Sequence, residues 1–223
     1  MKFSAIELSR VLAFVDLNDL TPYGSISLAK IAPRLAEKLE FSSFPKTLEQ
    51  FDASKGIVFE DGLWDDIPIQ QMTIYNNGIM MDTRKGTDVS LRIVKEIFDW
   101  AVIEFGLVVP EYGLQKTRFL NRFTFFSEAL LSLGGSPINR MAESLSQHVA
   151  EITGQSRRYE TIRIDLDFDR SEQQVPIAPL TIQRRITSSF DLNKFYTEAP
   201  LPTDVHIALI EQLEADVLAS KGE

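Results

Sequence analysis

Apolar and polar positions follow one another in blocks along this chain, and each change of period marks a new element. Val11-Leu12-Ala13-Phe14-Val15 is a short continuous apolar run that reads as a buried strand. After the turn-prone Asn18 to Gly24 segment, Leu28, Ile31, Leu35 and Leu39 recur at helical spacing. Pro33 falls inside that stripe, so the helix is kinked there or begins near it. Gly56-Ile57-Val58-Phe59 is the next strand, and Asp61-Gly62 is a turn signal. Met72, Ile74 and Tyr75 run into Asn76-Asn77-Gly78 and on to Ile79-Met80-Met81, which predicts a hairpin with Gly78 at positive φ. Thr87 then opens a helix with a capping hydroxyl, and Asp88 suits the positive end of its dipole. Leu91, Val94, Phe98, Ala101 and Phe105 form its stripe, and Gly106 ends it.

A second series follows. Phe119, Phe123 and Phe125 alternate with Arg118, Arg122 and Thr124, which predicts an aromatic-rich strand. A helix through Phe119, Phe123, Phe126 and Leu130 is the competing pattern. Gly134-Gly135 breaks the chain, and Ser136-Pro137 starts a helix whose buried stripe is Ile138, Met141, Leu145, Val149 and Ile152. Ile162, Ile164, Leu166 and Phe168 alternate with Arg163, Asp165, Asp167 and Asp169, a strand with one buried and one wet face. Leu180, Ile182 and Ile186 mark its partner strand. Pro200, Pro202 and the cap Thr203 precede a last helix with Leu209, Ile210, Leu213 and Val217 inside.

Each series reads β-α-β(n)-α, which predicts an α+β protein of two such halves. They would span residues 1–112 and 113–223, as two domains or as one continuous domain. Hairpin connections predict antiparallel sheets with helices packed on one face. In element order alone, two such halves resemble the TATA-binding-protein architecture.

Net charge changes what that resemblance implies. Lys+Arg 23 against Asp+Glu 32 leaves −9, which repels phosphate backbones and argues against nucleic acid as a partner. The chain contains no cysteine, which removes thiolate chemistry and disulfides and fits a cytoplasmic protein. No apolar run approaches the roughly 20 residues of a membrane helix, so no membrane partner is expected.

The candidate chemistry is sparse. Asp165, Asp167 and Asp169 share a strand face and could offer oxygen ligands to Mg²⁺ or Mn²⁺, but at about 6.8 Å per step they reach one ion poorly. Arg163 and Arg185 are expected to balance them. Glu60, Asp61, Asp65 and Asp66 surround Gly62 without calcium-loop spacing and read as a solubilising turn. His148 and His206 both fall on or beside apolar stripes and read as partly buried structural residues. The doublets Arg157-Arg158 and Arg184-Arg185 suit ion pairing or an anion. No phosphate loop or nucleophile motif occurs, so no cofactor is expected.

The expected function is therefore a non-catalytic protein–protein interaction component: an adaptor, inhibitor or assembly subunit acting through a protein partner or self-association. The Tyr196 to Pro202 loop, with Phe195, Tyr196 and Leu201 as apolar anchors, joins Phe126, Arg184 and Arg185 as the expected contact residues. The alternatives are a metal-dependent phosphoryl-transfer or nuclease-like enzyme on the Asp165/Asp167/Asp169 face, and a nucleic-acid or small-ligand module.

Overall fold

The computed structural model describes residues 1–20, 27–110, 114, 116–129, 131, 136–169 and 177–219. Its strands are β1 (Lys2–Phe14), β2 (Ile57–Trp64), β3 (Ile67–Tyr75), β4 (Gly78–Thr83), β5 (Thr117–Phe126), β6 (Arg163–Leu166), β7 (Leu180–Arg184) and β8 (Lys194–Ala199). Its helices are α1 (Leu28–Lys38), α2 (Thr87–Phe105), α3 (Ser136–Thr153) and α4 (Thr203–Ala219). The protein is α+β, with an antiparallel sheet in the order β2-β3-β4-β1-β5-β8-β7-β6. Two compact units make up the chain. One comprises Ile6–Asn121 with Pro200–Val205, the other Met1–Ala5, Arg122–Ala199 and His206–Glu223. The sequence boundary at 112/113 and the Gly134-Gly135 break lie outside the described residues.

In the first unit, period-two alternation puts Ala13, Ile57, Phe59, Met72, Ile74, Ile79 and Met81 on one sheet face. Ile31 and Leu35 of α1 and Ile93, Val94, Ile97 and Phe98 of α2 close over that face in a single core. Fully burying each such side chain contributes roughly 2 kcal/mol. Pro33 sits inside α1, which starts at Leu28 before it.

The Asn76-Asn77 turn joins β3 to β4 with Tyr75 opposite Gly78. Gly78 has φ +158°, the positive value expected there and one that side-chain-bearing residues rarely adopt. Contact selects glycine as well: a Cβ there would lie 2.3 Å from the Ala13 carbonyl oxygen of β1. Asp61-Gly62 is no turn but the interior of β2, and the hairpin bends at Asp65-Asp66, with φ of 43° and 62°. Glycine is needed at position 62 because the Leu39–Phe41 backbone and ring cross it, at 2.5 Å from a Cβ.

The second unit is built on aromatic rings. Phe123 and Phe125 of β5 are fully buried, and Phe195 of β8 stacks on Phe125 at 5.5 Å. The expected Tyr196 to Pro202 loop is thus corrected: its first half belongs to strand β8, paired with β7 from Arg184↔Phe195 to Thr181↔Glu198. On α4 the buried face runs through His206, Ile210 and Glu214, while Leu209, expected inside, is exposed. Glu214 is retained there because it accepts hydrogen bonds from the Ser127 hydroxyl (2.5 Å) and the Glu128 N–H (2.8 Å).

Candidate functional site

The largest departure from the sequence pattern lies on α3. Its apolar stripe, read as buried, faces outward: Ile138 is 44% exposed, Met141 64%, Leu145 45% and Ile152 83%. The half-buried positions are instead Asn139, Ala142, Ser146, Val149 and Ala150, so the inner face is mostly small or polar. Ser146 anchors that face, donating to the Ala142 carbonyl at 2.7 Å and accepting the Tyr159 N–H at 2.9 Å. Strand β6 repeats the departure. Ile162, Leu166 and Phe168 are exposed where a buried face was expected, and the strand has four residues rather than eight.

Below α3 a cleft of about 480 Å³ is lined by Ser146, Arg157, Arg158, Tyr159, Glu160 and Arg184, among others. Arg184 is buried here. It donates to the Phe190 carbonyl and to Asn193 Oδ1, both at 3.1 Å, and reaches Glu160 at 3.1 Å. Its guanidinium also lies over the Phe190 and Phe195 rings at 5.3 and 4.8 Å. Burial pushes its pKa down, and Glu160 opposes that shift. Arg158 joins the same carboxylate from the surface. Among the described residues, Arg184 Nε has no hydrogen-bond partner. One arginine of each doublet, Arg158 and Arg184, is therefore brought to Glu160.

The opposite side chains of these strands form a charged lattice. Asp165 is held by Arg163 Nε at 2.7 Å and by the Thr181 hydroxyl at 2.6 Å, which together lower its carboxyl pKa. Asp167 and Asp169 are exposed beyond the end of β6. Among the described residues, no group of three His, Asp or Glu side chains stands in metal-holding geometry. Arg122 pairs with Glu198, which also accepts the Tyr196 hydroxyl at 2.9 Å. Burial and that carboxylate raise the Tyr196 pKa to about 12. Arg185 lies over the Tyr196 ring at 5.2 Å, and Lys194 Nζ over the half-buried Phe126 at 5.2 Å.

The other sequence candidates fall separately. Phe195 is a core residue and Leu201 is half-buried. His148 is exposed beside Glu151 at 3.4 Å rather than partly buried. Glu60, Asp61, Asp65 and Asp66 are all exposed on the β2–β3 hairpin. His206 is fully buried, and its environment decides its tautomer. Thr197 Oγ1 donates to the Thr181 carbonyl at 2.9 Å, so His206 Nε2–H donates to that hydroxyl at 2.9 Å. No helix among the described residues is long and apolar enough to cross a membrane.

No protein-family model matches the chain, and no curated protein matches it significantly in sequence.

Proposed function

We propose that this chain is a non-catalytic protein–protein interaction component, binding through the α3 and β6 side of its second unit. One observation carries the reading: an amphipathic helix turns Ile138, Met141, Leu145 and Ile152 toward solvent. Contiguous exposed apolar surface of this kind marks a contact face in soluble proteins. Tyr196, Leu201, Phe126 and Arg185 remain secondary contact residues, whereas Phe195 and Arg184 serve the core behind them. A cysteine-free acidic chain of this type fits the cytoplasm. The test compares Met141→Glu/Leu145→Glu with the parent chain in affinity capture from the native host. A specific protein retained by the parent and lost by the variant, at equal melting temperature, supports the reading. Identical recovery overturns it.

A second reading, small-anion binding, is favoured by the Arg184 cleft, where Nε has no hydrogen-bond partner among the described residues. Calorimetric titration with inorganic phosphate tests it, and no heat of binding removes it.

The architecture itself supports a reading as two β-α-β(n)-α halves. Thr87-Asp88-Val89 and Thr203-Asp204-Val205 open α2 and α4 alike. The strand before each helix carries an acid, Asp82 or Glu198, that binds an arginine, Arg10 or Arg122.

A further inference from the structure

The sheet has two end strands, and they are finished differently. On β2 the edge is covered: Ser43 and Glu60 exchange backbone hydrogen bonds, and the Leu63 N–H reaches the Leu39 carbonyl at 2.7 Å. On β6 the described residues provide one neighbour, β7. The Arg184 N–H donates to the Ile162 carbonyl at 2.8 Å, so the even-numbered residues of β6 turn their backbone groups toward β7. The N–H and C=O groups of Arg163 and Asp165 therefore point away from the sheet. An exposed edge carrying Ile162 and Leu166, the latter 61% exposed, is a template for another strand.

We propose that the edge is filled by β6 of a second copy of this chain, paired antiparallel about a two-fold axis at Ile164. Charge selects both the partner and the register. Outward-facing odd residues must pair with odd residues, which leaves few symmetric alignments. An axis at Arg163 would set arginine against arginine. An axis at Asp165 would set aspartate against aspartate, and its Arg163–Asp167 pairs would fall beyond the end of β6 at Leu166. An axis at Ile164 sets each Arg163 opposite the partner copy's Asp165, twice over. On the other face it sets Ile162 against Leu166 and Ile164 against itself, covering the apolar side chains left exposed. The inference rests on the reading of this unit as a binding component, and it names the occupant of its β6 strip.

Analytical ultracentrifugation of the parent chain should show a concentration-dependent dimer. Arg163→Asp alone and Asp165→Arg alone should each sediment as monomers, because each sets like charges opposite one another. Mixing the two variants should restore dimer, since every facing pair is then complementary. This mixing arm also excludes misfolding as the cause of lost association. The native chain has no cysteine, so a register probe is unambiguous. Oxidised Ile164→Cys should form a covalent dimer, because a non-hydrogen-bonded pair brings Cα atoms to about 4.5 Å. Leu166→Cys, which faces position 162, should not. A parent chain monomeric up to its solubility limit overturns the pairing, as does a dimer indifferent to both charge reversals. Either failure leaves the α3 reading to be judged by the Met141→Glu/Leu145→Glu comparison, so the two are separable.

Discussion

Thr87 and Thr203 stand 116 residues apart, and each side-chain oxygen accepts the other's backbone N–H, at 3.0 and 2.9 Å. Each opens a helix, so α2 and α4 satisfy one another's first free donor rather than capping themselves. Asn121 Nδ2 adds two more, donating to Thr203 Oγ1 at 3.0 Å and to Ser9 Oγ at 3.1 Å. All four residues are buried, which makes the cluster a closed polar network.

Removing either threonine oxygen should therefore reach beyond one helix. Thr203→Val strips an acceptor from both Thr87 N–H and Asn121 and should cost about 2 kcal/mol. Thr87→Val should cost about 1 kcal/mol. Because the bonds are shared, the double variant should lose less than the sum of the two. Urea denaturation of the four chains checks this, and strict additivity would contradict a coupled network.

His206 should make stability depend on pH. Burial lowers its pKa from 6.5 to about 4 in the folded protein. The unfolded chain therefore takes up a proton that the folded chain refuses. The stabilisation is complete above pH 6.5 and is lost as pH falls from there to about 4, by about 3 kcal/mol. Chemical denaturation across that range, compared with His206→Gln, should show the steeper slope in the histidine chain.

Gly78→Ala should destabilise by about 2 kcal/mol or more, because its Cβ meets the Ala13 carbonyl at 2.3 Å. Gly106→Ala should cost about 1 kcal/mol, since φ there is 67° but the space is open. Thermal unfolding should rank Gly106→Ala above Gly78→Ala, and the reverse order would contradict the close β1–β4 contact.

Charges placed on the outer stripe of α3 should be nearly silent in the isolated chain. Met141→Glu with Ile152→Glu should change stability by about 0.5 kcal/mol or less, against several for Ile210→Glu. A large loss in the α3 variant would show that the stripe is buried after all.

How far the residues alone reach is clearest where elements succeed and fail. Alternation and turn chemistry are local properties, and they sufficed for the Asn76-Asn77 hairpin, for α2 ending at Gly106 and for the aromatic strand β5. They also indicated an antiparallel α+β protein, because short hairpin connections leave little other choice. Locality misled at β8, where Pro200 and Pro202 just beyond the strand made Tyr196 to Pro202 read as a loop. On α3 and β6 the pattern named the apolar faces correctly but not what covers them. A stripe records where apolar side chains lie on a helix, whereas burial depends on whether another element arrives there. Tertiary structure alone joined Thr87 to Thr203, gathered Arg158 and Arg184 around Glu160, and buried His206 beside Thr197. Each depends on side chains of separate strands, helices and loops meeting in space, a relation that no spacing along the sequence encodes.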